Sequence, residues 1–299
     1  MITAVEHHQG PGTLTLERDR LHLIFGYGTG DTFNAMVHLA KAPPSVTYNM
    51  IIKKPQLDLV LFLLGLFKQA PNRLIVVDYW KHDFALVLSQ LFPELGIQRK
   101  FEPHMRDSGL LACWATPSYY NKILPHTEED MNVLRAYFGV GSSASSIPEG
   151  SVVLFPTAGT QFSDYKPDWS GIVSQLKSLG MHNIFANVSG IQEYGDETIK
   201  GATPIQLSHR ELIKTIHGTP RVKIIAVRSG VLDILRFSDA RALVLYQPVP
   251  DVIFETCRFG LIPTKMDFLE AICLNESTEH QNLTIQYYVE KFLASTLTR

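Results

Sequence analysis

The stretch Lys223–Leu235, KIIAVRSGVLDIL, constrains the fold of this chain more than any other. It opens on an apolar, mostly β-branched run, Ile224, Ile225, Ala226 and Val227, of the kind a parallel strand buried on both faces requires. Arg228, Ser229 and Gly230 interrupt it, and Val231, Leu232, Ile234 and Leu235 then recur at helical spacing. A strand that passes straight into a helix points the helix's unpaired N–H groups and positive end at one spot. That arrangement suits a phosphate. Arg228 adds a forked cation shaped for two phosphate oxygens. The same residues also read as an ordinary turn, with Ser229 capping the helix and Arg228 in solvent.

The rest of the chain repeats this logic. Apolar periodicity predicts strands at 21–25, 46–52 and 74–77, alternating with helices at 31–41, 57–68 and 84–91, and a further helix at 127–138. Alternation resumes with strands at 152–155, 183–186, 222–227 and 242–246 and helices at 169–179, 208–217 and 231–236. A last helix is expected over 283–297, with Tyr287, Tyr288, Phe292 and Leu293 available for burial. Regular βαβ alternation implies parallel sheets with helices on their faces. At 299 residues the chain is long for one core. The segment GVGSSASSIPEG (139–150) is the best linker candidate, being rich in Gly and Ser. The expected organisation is therefore a first α/β domain over 1–145, a second over 146–282, and a final helix, 283–299, returning towards the first. Two doubly wound domains place a ligand in the cleft they face.

Composition narrows the function. Hydrophobic residues make up 45% and charged residues 19%, as in a globular protein with a sizeable core. A net charge of -2 without a basic block leaves no electrostatic footprint for nucleic acid. The longest apolar run, Leu59–Phe67, is too short to span a bilayer, so membrane contact is expected to be peripheral at most. Cys113, Cys257 and Cys273 are odd in number and widely spaced, which argues against a disulfide framework. The N-terminus lacks a signal-peptide layout, and His7–His8 read as part of a mobile terminus; a cytoplasmic protein is expected. The eleven histidines form no HExxH pattern, and the chain has no P-loop, GxSxG elbow or Asp-x-Asp motif.

Three constellations carry candidate chemistry. In HLIFGYGTGDTF (22–33), Gly26, Gly28 and Gly30 follow the first predicted strand and Asp31 opens the next helix. The run is one position short of the dinucleotide fingerprint, which ranks a nicotinamide-dependent enzyme last. Gly28 and Gly30 still allow a ligand close to the backbone. Asp31 is either a helix cap or a base that accepts a proton from a bound hydroxyl. In VVLFPTAGTQFSDYKPDW (152–169), Thr157 lies in a small-residue loop after a strand, and Lys166 stands just before a helix, where a lysine offsets phosphate charge. In the third, Asp233 either pairs with Arg236 or touches the ligand held at Arg228, Ser229 and Gly230.

Taken together, these segments resemble glycosyltransferases of the GT-B type, and most closely the lipopolysaccharide heptosyltransferases and related bacterial polysaccharide glycosyltransferases. Gly30-Asp31 matches the Gly-Asp pair opening the first helix of those enzymes. Lys166-Pro167-Asp168-Trp169 matches their Lys-x-x-Trp element, and Arg228-Ser229-Gly230 occupies their diphosphate-holding turn. Heptosyltransferases usually carry Asp-Thr-Gly there, so the resemblance bears on the reaction class more than on the sugar. It implies two Rossmann-like domains, the first binding a glycan or glycolipid acceptor and the second a nucleotide-diphosphate sugar. It further implies Asp31 as base, with Lys166 and Arg228 stabilising the leaving diphosphate without a metal or other cofactor, and inversion at the sugar carbon. The donor would be held by Gly28, Gly30, Thr157, Lys166, Arg228, Ser229, Gly230 and Asp233. A nucleotide-sugar epimerase or hydrolase, and a non-catalytic nucleotide-sugar-binding subunit, are the alternatives.

Overall fold

A computed structural model describes residues 5–8, 21–25, 29–30, 32–33, 36, 48–68, 70–77, 110–112, 147–157, 167–187, 199–246, 264, 266–272 and 278–294. The chain divides into two compact units, Met1–Tyr119 and Tyr120–Arg299. The Gly/Ser-rich stretch expected as linker falls inside the second unit by this division; residues 139–146, and the expected helices at 84–91 and 127–138, lie outside the described residues. So do the three cysteines.

The first unit is a five-stranded, all-parallel sheet of β1 (Val5–His8), β2 (Leu21–Phe25), β3 (Tyr48–Lys53), β4 (Arg73–Val77) and β5 (Leu110–Ala112). Their spatial order is β1-β4-β3-β2-β5. Helix α1 (Leu57–Leu66) buries Leu59, Val60, Leu63 and Leu64. The segment around His7–His8, expected to be mobile, is instead the edge strand β1, in register with β4 from Val5↔Leu74 to His8↔Val77. Arg73 pins it there: its Nε and Nη2 donate to the two Glu6 carboxylate oxygens at 2.8 and 2.7 Å. The polar run Glu6, His7 and His8 hid this short edge strand, because an edge need not be apolar on both faces.

The second unit has a six-stranded parallel sheet of β6 (Val152–Phe155), β7 (Ile184–Asn187), β8 (Thr203–Ile205), β9 (Lys223–Val227), β10 (Arg241–Tyr246) and β11 (Asp267–Ile272). The order β11-β10-β9-β6-β7-β8 runs outward from β6 to one edge, then from β9 to the other. This is the doubly wound Rossmann order. Because side chains alternate along a strand, each strand feeds both faces. Val152, Leu154, Ile225, Val227, Leu243 and Leu245 pack beneath α2 (Trp169–Ser178) and α5 (Thr278–Ala294). Val153, Phe155, Ile224, Ala226, Val244 and Tyr246 pack beneath α3 (His209–Gly218) and α4 (Gly230–Leu235). Continuous apolar runs were required for this two-sided burial, which is why these strands were legible. Strands β8 and β11 were not expected; β8 is short, carries Pro204 and is half-exposed, as edge strands often are.

The final helix, expected to return towards the first unit, buries Ile285, Val289 and Phe292 in the core of the second. Arg241, at the start of β10, holds its last turn: Nη1 donates to the Phe292 carbonyl at 2.7 Å and the guanidinium lies 5.1 Å from the Phe292 ring centroid. That carbonyl is one of those a helix end leaves without an intrahelical partner.

Candidate functional site

In an open doubly wound sheet, ligands bind beyond the carboxyl ends of the strands where the strand order reverses. In the second unit this switch point lies between β6 and β9, which pair in parallel with Phe155 opposite Ala226. The chain leaves β6 at Pro156–Thr157 and leaves β9 at Arg228–Ser229–Gly230, so the two segments exit side by side. Thr157 is half-buried there. The strand–turn–helix expected from the sequence is present, with β9 ending at Val227 and α4 starting at Gly230.

Neither half of the ordinary-turn reading describes the turn. Ser229 occupies the N-cap position in extended backbone, yet its side chain makes no capping hydrogen bond. Its hydroxyl is buried and has no hydrogen-bond partner among the described residues. Arg228 is not in solvent either: it is 9% exposed, and its Nη1 donates to the Ser229 carbonyl at 2.7 Å. The fork expected to receive two phosphate oxygens is laid on Asp233, with Nη2 at 3.1 and 3.3 Å from the two carboxylate oxygens and Nη1 at 3.3 Å from one.

Asp233 is shared. The Nη2 of Arg236 donates to the same carboxylate, and its Nε donates to the Asp233 carbonyl at 3.2 Å. Arg236 is fully buried. The expected Asp233–Arg236 pair is thus present, but within a buried Arg–Asp–Arg triad. Asp233, also a candidate for direct donor contact, is engaged with both guanidinium groups. Two guanidinium groups thus meet on one carboxylate. An Asp–Arg pair at helical i,i+3 spacing was readable in the sequence. The arrival of Arg228 from the preceding strand was not. A second polar pair stands beside it: Tyr246, which ends β10, donates its hydroxyl to Glu270 of β11 at 2.6 Å.

At the other expected element, Asp168 caps α2 by accepting a hydrogen bond from the Gly171 N–H at 2.9 Å. A Cβ at Gly171 would collide with that carboxylate, so the glycine gives the cap its room. Lys166 lies outside the described residues, as do Gly28 and Asp31 in the first unit. Gly30 is described: it is buried and, like Thr29, already helical, so this helix begins earlier than the expected start at Asp31. No group of three or more His, Cys, Asp or Glu side chains able to hold a metal occurs among the described residues. None of their helices is long and apolar enough to cross a membrane.

No known protein-family model matches the chain, and no curated protein matches it in sequence. Its fold does have counterparts among solved structures. The E. coli heptosyltransferase WaaC with ADP superposes over 92% of this chain and 99% of its own, with a TM-score of 0.55 and 11% identity. A glycosyl transferase family 9 protein from Veillonella parvula superposes over 95% of this chain and 98% of its own, with a TM-score of 0.51 and 13% identity. The chain therefore has the two-unit, parallel α/β GT-B architecture expected from its sequence.

Proposed function

We propose that this protein is a glycosyltransferase that moves a sugar from a nucleotide-diphosphate donor to a hydroxyl of a glycan or glycolipid acceptor. The observation that carries the reading is the turn Arg228–Ser229–Gly230 at the β6/β9 switch point, backed by the buried guanidinium groups of Arg228 and Arg236 on Asp233. A phosphate is what such a turn accommodates: backbone N–H groups, a hydroxyl without a partner among the described residues, and positive charge in a poorly hydrated setting. The architecture shared with a heptosyltransferase that binds ADP supports the same choice of ligand.

In the proposed mechanism the second unit holds the donor and the first holds the acceptor. Asp31 takes the proton of the acceptor hydroxyl as its oxygen attacks the anomeric carbon of the donor. The bond from that carbon to the phosphate oxygen breaks, and the leaving diphosphate carries away the electron pair. Lys166 and the amides at Ser229 and Gly230 stabilise the charge it acquires, and Arg228 contributes its charge while its fork holds Asp233. Direct displacement inverts the anomeric centre. Positive side chains take the part that a divalent cation plays elsewhere, so turnover continues in EDTA.

The test begins with thermal stabilisation of the full chain by a panel of nucleotides and nucleotide-sugars, since a selective ligand raises the melting temperature by mass action. The selected donor is then incubated with glycan and glycolipid acceptors while nucleotide release is followed. Acceptor-dependent release is expected. Release without acceptor replaces the proposal with a hydrolase or epimerase, and binding without any turnover replaces it with a binding subunit.

A further inference from the structure

A helix that covers a parallel sheet turns an apolar stripe to the strands and a polar one to solvent. Helix α1 departs from that pattern, since Asp58 alone of its residues has a polar side chain. Its inner stripe, Leu59, Val60, Leu63 and Leu64, is buried. On the outer stripe Leu61 is 40% exposed, and Leu57, Phe62 and Leu66 are half-buried. A Cβ at Gly65, on the same side, would meet no atom within 4 Å, so the stripe lies open there. Isolated apolar side chains on a surface are ordinary, but four large ones along one helix form a patch. Cations bracket it: Lys54, in the turn before α1, and Lys68, just past its end, are both exposed. The single carboxylate, Asp58, stands in the first turn, where the helix dipole favours it.

We propose that the outer face of α1 docks on a lipid bilayer: Leu57, Leu61, Phe62 and Leu66 enter the acyl boundary of a leaflet with anionic headgroups, and Lys54 and Lys68 reach those headgroups. A protein partner would need hydrogen bonds to fix its register, and from Leu59 to Phe67 the helix has no polar side chain to supply one. A second copy of the chain fits no better. Whether two such faces paired parallel or antiparallel, lysine would meet lysine at both ends. A bilayer demands no register, and long lysine side chains reach its headgroups while the apolar face sinks between them. This inference goes beyond the sugar-transfer reading and does not rest on it.

The test sediments the full chain with vesicles of equal parts phosphatidylglycerol and phosphatidylcholine, and with vesicles of phosphatidylcholine alone. The parent is expected to sediment with the mixed vesicles, and less with the neutral ones. Lys54→Gln with Lys68→Gln should weaken binding to the mixed vesicles by about tenfold or more, at about fivefold for each lysine, and leave neutral vesicles unaffected. Leu61→Gln should weaken binding to both by about threefold or more, and Gly65→Leu, for which there is room, should strengthen it by a similar factor. A gain of binding in Gly65→Leu cannot come from misfolding. A parent that stays in the supernatant overturns the proposal, and so does vesicle binding that neither Leu61→Gln nor Gly65→Leu alters. Sedimentation velocity that shows a dimer dissolved by Leu61→Gln also overturns it, because a second copy then covers the face. Vesicle binding by a chain that takes up no nucleotide would remove the donor-binding reading and leave this one in place.

Discussion

Replacing Asp233 with Asn removes one negative charge and almost no volume, and it leaves two guanidinium groups facing each other inside the second unit. In the parent, Asp233 receives Arg228 at 3.1 Å and Arg236 on the same oxygen. Their side chains are only 11% and 0% exposed, so water screens the repulsion poorly. Removing the shared partner of a buried ion cluster typically costs about 3–5 kcal/mol, because it strands charge without compensation. For a unit of roughly 150–250 residues that corresponds to a fall of roughly 6–20 °C in melting temperature. Arg228→Leu should be milder, at about 1–3 kcal/mol, since Asp233 and Arg236 remain as a matched pair and mainly hydrogen bonds are lost. Urea denaturation followed by far-ultraviolet circular dichroism, with thermal scans on the same samples, measures both. A midpoint for Asp233→Asn within about 0.5 kcal/mol of the parent, or an Arg228→Leu cost as large as that of Asp233→Asn, would refute the charge argument.

Asp31→Asn should leave donor affinity nearly intact and lower turnover by about 10² or more, the scale of losing a general base; an equally active Asn variant removes Asp31 from the mechanism. Activity should persist in EDTA, and loss on chelation that manganese or magnesium restores would show that a metal, not side chains, stabilises the leaving group. Arg241→Met should release the last turn of α5 by deleting the bond to the Phe292 carbonyl, at about 1–3 kcal/mol, and hydrogen exchange should quicken around Phe292. Lys223 is held below the usual lysine range by burial first, and then by Arg241 and Arg221. The unfolded chain therefore binds this proton more tightly than the folded one, so stability should rise as pH rises through the folded value towards the ordinary one. Lys223→Met should flatten that alkaline rise in urea midpoint, and an unchanged slope would refute the assignment.

The kind of element along much of this chain was legible in its residues. Strands β6, β7, β9 and β10 must be apolar on both faces, and helices α2 and α3 must show an apolar stripe, so each leaves a local periodic signal. The strand–turn–helix around Arg228 was legible for the same reason: a buried strand meeting a helix at Arg-Ser-Gly is local information. Strands β1, β8 and β11 left weaker signals, because an edge strand has a neighbour on one side and tolerates Glu6, Pro204 or Glu270. What the tertiary structure decided was which ends meet. Strand order is a matter of contacts between segments far apart in sequence, so the pairing that sets Phe155 of β6 opposite Ala226 of β9 has no counterpart in any window of residues. The Arg228 side chain is the clearest case. Its chemistry allowed a phosphate, solvent or a carboxylate, and the choice fell to Asp233 because burial at the switch point removes the solvent option. There a guanidinium needs a fixed anion within reach, and the first turn of α4 holds one 3.1 Å away.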